Sequence, residues 1–200
     1  SDLEGMAVDQ VMIGSCTNSS YVDLMTVAGM LKGRRLVPGV SLGVAPGSRQ
    51  VLQMIAENGA LSDLLAFGAR ILESACGFCI GNSMSPKTNS VSIRTSNRNF
   101  KGRSGTPSAN VYLASPAVAA AALKGEITDP RNLDMEFPRV MMPERFTIDD
   151  SMIIPPLPEG ERAKISIYRG PNIGAPPTND PMPEDLRGRI AIKVEDYVTT

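Results

Sequence analysis

Three cysteines and no histidine frame the chemistry open to this chain of 200 residues. Cys16 lies in Gly14-Ser15-Cys16-Thr17-Asn18-Ser19, and Cys76 and Cys79 form a C-x-x-C pair in Cys76-Gly77-Phe78-Cys79-Ile80-Gly81. Such a pair on a glycine-flanked turn can point two thiolates at one ion or cluster. The same spacing serves a redox dithiol or half a zinc site, and a lone cysteine is ordinarily a small buried hydrophobe. Spacing alone leaves these readings open. Zinc asks for four ligands, and neither a histidine nor a fourth cysteine exists to complete the set. A three-cysteine site with one metal position open suits a [4Fe–4S] cluster whose remaining iron is free for substrate. The lack of histidine also removes the commonest general base and the Ser-His and Cys-His pairs.

A second segment, Thr95-Ser96-Asn97-Arg98-Asn99-Phe100-Lys101-Gly102-Arg103, leaves the end of an expected strand. Guanidinium groups bind carboxylates bidentately, so Arg98 and Arg103 suit a di- or tricarboxylate. The blander reading is a solvated loop. In Ala45-Pro46-Gly47-Ser48-Arg49, a Gly-Ser helix start could cradle an anion, but no Lys-Ser/Thr ending makes it a phosphate loop. A plain helix cap is the simpler role.

The elements that must position these residues alternate. Residues 9–14 read as a short buried strand, and 21–32 as a helix with Val22, Leu24, Met25, Ala28 and Leu31 on its apolar face and Ser19 or Ser20 as N-cap. A strand over 40–45, a helix from 46–48 through Asn58, a short helix over 61–67 and a strand over 70–73 follow. Residues 91–95 alternate like a strand, and 116–124 form an Ala-rich helix capped by Ser115 and stopped by Gly125. This order predicts an α/β fold, layered α/β/α with a mainly parallel sheet. Cys16 then falls in the loop at a strand's C-terminal end, where open α/β sheets bind ligands and helix N-termini favour anions. From about Ile127 prolines accumulate, at 130, 138, 143, 155, 156, 158, 171, 176, 177, 181 and 183, which excludes a run of helices. That stretch reads as a Pro-rich extended arm over the domain, ended by a strand-like piece at 189–194.

Composition narrows the classes. Basic and acidic residues number 20 and 21, giving net charge −1, and aromatics make up 4% with no Trp, so neither nucleic acid nor an anionic membrane is an expected partner. An odd cysteine count without a disulfide pattern points to a reducing compartment, and the expected location is cytoplasmic. No signal peptide is visible at the start, and no apolar run approaches the roughly 18 residues of a membrane span.

Taken in order, GSCTNS at 14–19, PGS at 46–48, CGFCIG at 76–81 and SNRNFKGR at 96–103 resemble the aconitase superfamily across about residues 9–128. The resemblance implies that Cys16, Cys76 and Cys79 hold three irons of a [4Fe–4S] cluster, and that Asn97, Arg98 and Arg103 face the substrate. It implies reversible dehydration of a hydroxy acid, as in citrate to isocitrate through cis-aconitate, with the remaining domains of a parent enzyme as partners. The general acid and base of the family lie in segments not recognisable here, so no catalytic residue is expected in this chain and no turnover by it alone. Phe78 departs from the Pro usual in the family's C-G-P-C-I-G. The expected organisation is a cluster-binding domain over 1–128, a linker over 129–187 and the start of a truncated swivelling domain over 188–200. A linker that long favours a single-chain aconitate hydratase as parent. The alternatives are homoaconitase, a methylcitrate-type enzyme, isopropylmalate dehydratase, or a non-catalytic RNA-binding relative.

Overall fold

The computed structural model describes residues 2–185 and 187–194. Contacts divide the chain into two units, Ser1–Met152 and Ile153–Thr200.

In the first unit the strands β1 (Gln10–Gly14), β2 (Ser41–Ala45), β3 (Arg70–Ile71), β4 (Val91–Arg94) and β5 (Asn110–Leu113) form one sheet in the order β3-β2-β1-β4-β5. Every pairing in it is parallel. The helices are α1 (Tyr21–Leu31), α2 (Arg49–Glu57), α3 (Ala60–Phe67) and α4 (Pro116–Ala121). β1 is buried at every position, as a central parallel strand must be when both faces are covered.

The pleat sorts its residues. Val11, Ile13, Leu42, Val44 and Ile93 enter the large core with Leu24 and Val27 of α1, Leu64 of α3 and Ala119–Ala122 around the end of α4. Met12 and Ala45 belong to a second, smaller cluster with Phe78, backed by Leu72 and Met84. The expected layered α/β/α class with a parallel sheet therefore holds. Its second layer is reduced to a 3-10 turn over Phe78–Ile80 and the loop around it.

Local sequence explains the boundaries. Ser20, not Ser19, caps α1: its Oγ accepts from the Asp23 N–H at 3.3 Å while the Asp23 carboxylate accepts from the Ser20 N–H at 3.0 Å. This reciprocal capping box stabilises the helix start by about 1 kcal/mol. Gly68, with φ of 118°, ends α3 where a left-handed residue is required. The expected strand over 70–73 shortens to β3, and the helix from 46–48 begins only at Arg49.

Residues 129–152 run as an extended arm on the first unit. Leu133 and Met135 pack against the core, the Gln50 side chain donates to the Thr147 carbonyl, and Phe146 meets Tyr21 edge-on at 6.5 Å. Among its described residues the second unit has one helical turn, α5 (Glu159–Arg162), within otherwise extended and exposed chain. The strand expected at 189–194 is absent: those residues are exposed and unpaired with any strand. Apolar alternation without a neighbouring strand has no ladder to join. Residues 195–200, expected to belong to the start of a swivelling domain, lie outside the described residues.

Candidate functional site

The strand order reverses beside β1: β2 and β3 lie on one side, β4 and β5 on the other. In open parallel sheets such a switch point leaves a crevice at the strands' C-terminal ends. The loop after β1 carries Cys16, and the loop after β4 carries Asn97, Arg98 and Arg103. The turn bearing Cys76 and Cys79 follows β3.

The Cys16 loop is tied down on several sides. Thr95, just past β4, accepts from the Gly14 N–H at 2.8 Å and donates its hydroxyl to the Gly14 carbonyl at 3.1 Å. Asn18 donates to the Thr95 carbonyl, and Ser19 donates to the Ser15 carbonyl. Gly14 has φ of 126°, and a Cβ there would stand 2.0 Å from the Ala45 carbonyl oxygen, so only glycine lets the loop turn against β2. Ser15 follows in the left-handed region, with φ of 81°. That strain places Cys16 on the surface as a free thiol, 3.5 Å from the Thr17 hydroxyl. The Thr17 hydroxyl, and after it the Ser15 hydroxyl, hold the thiol below its ordinary pKa, and the Arg98 guanidinium adds the smallest pull in the same direction.

The other cysteines differ from it and from each other. Cys76 is exposed, Cys79 is buried, and both are free. Gly81, with φ of 81°, ends their turn; a Cβ there would lie 2.8 Å from the Ser104 carbonyl oxygen. Phe78, the departure from the proline-bearing motif, is fully buried and anchors the turn on Met12 and Ala45. That burial contributes about 1.5–3 kcal/mol.

Of the residues expected to face substrate, Arg103 is half-buried, with Nη2 3.7 Å from Cys79 Sγ and its Cζ 5.5 Å from the Phe100 ring centroid. Arg98 is exposed, and its charge acts on Cys16. Asn97 is exposed. The structure thus brings Arg103 to Cys79, leaves Arg98 exposed with only a weak pull on Cys16, and gives Asn97 no comparable contact. Pro46-Gly47-Ser48 serves as cap and support: Ser48 Oγ accepts from the Val51 N–H, and the Gly47 N–H donates to the Ser19 carbonyl at 3.0 Å.

Sequence reasoning missed β5 and Arg94. Asn110–Leu113 is only four residues long and exposed at both ends, so it reads as loop. Arg94 is fully buried, and burial pushes its pKa down to about 10, with the Cys79 sulfur acting the other way. The available signal was the alternation of Ser92 and Arg94 in β4, which reads as a solvent-facing pair.

The thiols' surroundings bear on what they can hold. Among the described residues no three Cys, Asp or Glu side chains gather closely enough to hold one metal ion. The described residues therefore form no compact zinc-type site. A cluster in which each thiolate bonds a different iron does not require such convergence. Among the described residues, Ser96 Oγ and Arg103 Nε, both in the loop leaving β4, are buried polar atoms without a hydrogen-bond partner. Soft thiolate donors, a guanidinium beside Cys79 and an unpaired Ser96 hydroxyl fit an anionic iron–sulfur group in chemistry.

Comparison with known proteins gives concordant matches. The model of the Aconitase family (aconitate hydratase) matches residues 1–125. A 3-isopropylmalate dehydratase large subunit from Herpetosiphon aurantiacus is 50% identical over 134 residues, 66% of this chain and 32% of the relative. A homoaconitase large subunit from Thermus thermophilus is 48% identical over 136 residues, 67% of this chain and 32% of the relative. A 3-isopropylmalate dehydratase large subunit from Archaeoglobus fulgidus is 45% identical over 135 residues, with 66% and 32% covered. The chain spans about a third of the length of the curated relatives it matches.

Proposed function

The chain belongs to the aconitase family, and from that premise we propose that it supplies the cluster-holding part of a hydro-lyase acting on hydroxy di- or tricarboxylic acids. The observation that carries this reading is the placement of both cysteine-bearing segments and the arginine-bearing loop after the C-terminal ends of the parallel strands, with Arg103 Nη2 3.7 Å from Cys79 Sγ. Cys16, Cys76 and Cys79 would hold a [4Fe–4S] cluster, which when bound supplies Lewis acidity toward a substrate hydroxyl. The chain's own residues do the rest of the work assigned here. The Thr95–Gly14 bonds fix the Cys16 loop, and Phe78 fixes the Cys79 turn. Arg98 and Arg103 offer forked donors for carboxylates. A proton donor and acceptor for the reaction come from other parts of the parent, so the chain alone gives no turnover.

Relatives named as isopropylmalate dehydratase and homoaconitase large subunits support the alternative parent better than a single-chain aconitate hydratase. In that form the partner is a separate small subunit, and the substrate is a 2-alkylmalate or homologous acid in place of citrate. The cytoplasm, as a reducing compartment, is the proposed location.

Anaerobic reconstitution with iron and sulfide, read by visible absorption and EPR, tests the cluster. A [4Fe–4S] signal that converts to [3Fe–4S] on mild oxidation is expected. A chain that takes up no cluster either alone or within its full-length parent refutes the reading. Substrate profiling of that parent decides between isopropylmalate, homoaconitate and citrate.

A further inference from the structure

Behind the Cys79 turn, the face of β1 and β4 that carries Met12 also carries buried polar side chains. Gln10 and Ser92 are register partners and both are buried; Arg94, next on the same face, is the largest fully buried side chain among the described residues. Its Nε donates to Ser92 Oγ at 3.1 Å, and its Nη2 donates to Gln10 Oε1 at 2.9 Å and to the Met84 carbonyl at 3.2 Å. Its Nη1 donates to the Phe78 carbonyl at 2.6 Å, and its Cζ stands 5.8 Å from the Phe78 ring centroid. Ser92 and Gln10 are themselves joined at 2.9 Å, and Gln10 Nε2 donates to the Met84 carbonyl at 2.9 Å.

This arrangement is costly for packing alone. A buried guanidinium loses its hydration, and its acceptors here are all neutral; none of the ion pairs among the described residues includes it. An apolar side chain of similar volume would fill the same space without that penalty. What the guanidinium does, and an apolar residue cannot, is bind both ends of one turn. Phe78 and Met84 bracket the loop that follows Cys79, and the fork holds both carbonyls against β1 and β4. It also puts a positive charge under Cys79, while Arg103 Nη2 approaches the sulfur from the loop after β4, at 3.7 Å.

We infer that Arg94 is the positioning residue of the Cys79 loop, holding the thiol in place and presenting buried positive charge to the anionic group that the loop binds. The identity of that group rests on the proposed cluster; the positioning does not.

The test uses the full 200-residue chain with Arg94→Lys and Arg94→Gln. Iodoacetamide labelling under native conditions is read by peptide mass spectrometry as the Cys79:Cys16 ratio within each molecule, beside the denaturant midpoint. Loss of the charge-assisted bonds in Arg94→Gln raises that ratio about tenfold. Arg94→Lys, which keeps the charge and loses the fork, gives an intermediate rise. If Arg94→Gln does not fold, Arg94→Lys carries the test alone. A residue that only stabilised the fold would lower the midpoint and leave the ratio unaltered, and that result overturns the inference. Iron and sulfide uptake is measured in parallel. A raised ratio in the variants, with no uptake by the unaltered chain, sustains the positioning and counts against the cluster. Normal uptake with an unchanged ratio in both variants overturns the positioning and leaves the cluster reading standing.

Discussion

The loop after β1 and the turn after β3 both present cysteine at the same end of the sheet, but they are held in opposite ways. The Cys16 loop is fixed from its backbone: Gly14 turns against Ala45, Thr95 grips both polar groups of Gly14, and the thiol is left at the surface. The Cys79 turn is fixed from its side chains: Phe78 sinks into the sheet, Arg94 binds its carbonyl from below, and the thiol is buried. A backbone-held loop tolerates change in its exposed side chains and none in its glycine. A side-chain-held turn depends on the anchor's volume and on the cation beneath it.

Substitutions separate the two modes. Gly14→Val should have the largest effect. Its side chain would start 2.0 Å from the Ala45 carbonyl oxygen, so a loss of about 4 kcal/mol or failure to fold is expected in thermal melts. A midpoint near that of the unaltered chain would show that the loop can turn without glycine. Phe78→Ala removes the anchor of the second cluster and should cost about 3 kcal/mol in denaturant unfolding. Amide exchange should rise around residues 76–85 before it rises in β1; uniform loosening would erase the distinction between the loops.

Thr95→Val keeps the shape and loses both bonds to Gly14, with an expected cost of about 2 kcal/mol. Cys16 labelling should accelerate and Cys79 labelling should not; parallel changes would mean that the two loops open together. The smallest effect is electrostatic. The Thr17 hydroxyl lowers the Cys16 pKa, so its thiolate forms, and labelling becomes fast, at lower pH than for an ordinary thiol. Thr17→Val should move that labelling profile to higher pH with the melting temperature unchanged. An unmoved profile would shift the credit to the Ser15 hydroxyl, the next contributor.

Much of this was legible in the sequence. Hydrophobic runs of strand length alternating with helical spacing gave β1, α1, β2, α3 and β4 to within a residue or so, because local period and burial agree there. The cysteine and arginine motifs were visible because their residue types are rare and their glycines mark turns. β5 was missed because four residues with exposed ends carry too little pattern, and its strand state comes from pairing with β4. The strand expected at 189–194 failed for the converse reason: the pattern is present and the partner is not.

The sequence by itself determined the parallel α/β class, the helix start at Ser48, the end of the helical region near Gly125 and the family to which the motifs belong. These follow from interactions between residues near in sequence, whose signals are written locally. Only the tertiary structure decided that β1 and β4 meet at the switch point, that Arg103 stands beside Cys79, and that Arg94 points inward. Those features depend on which strands become neighbours. An alternating polar face reads as solvent-exposed until a turn some sixteen residues earlier in the chain folds over it.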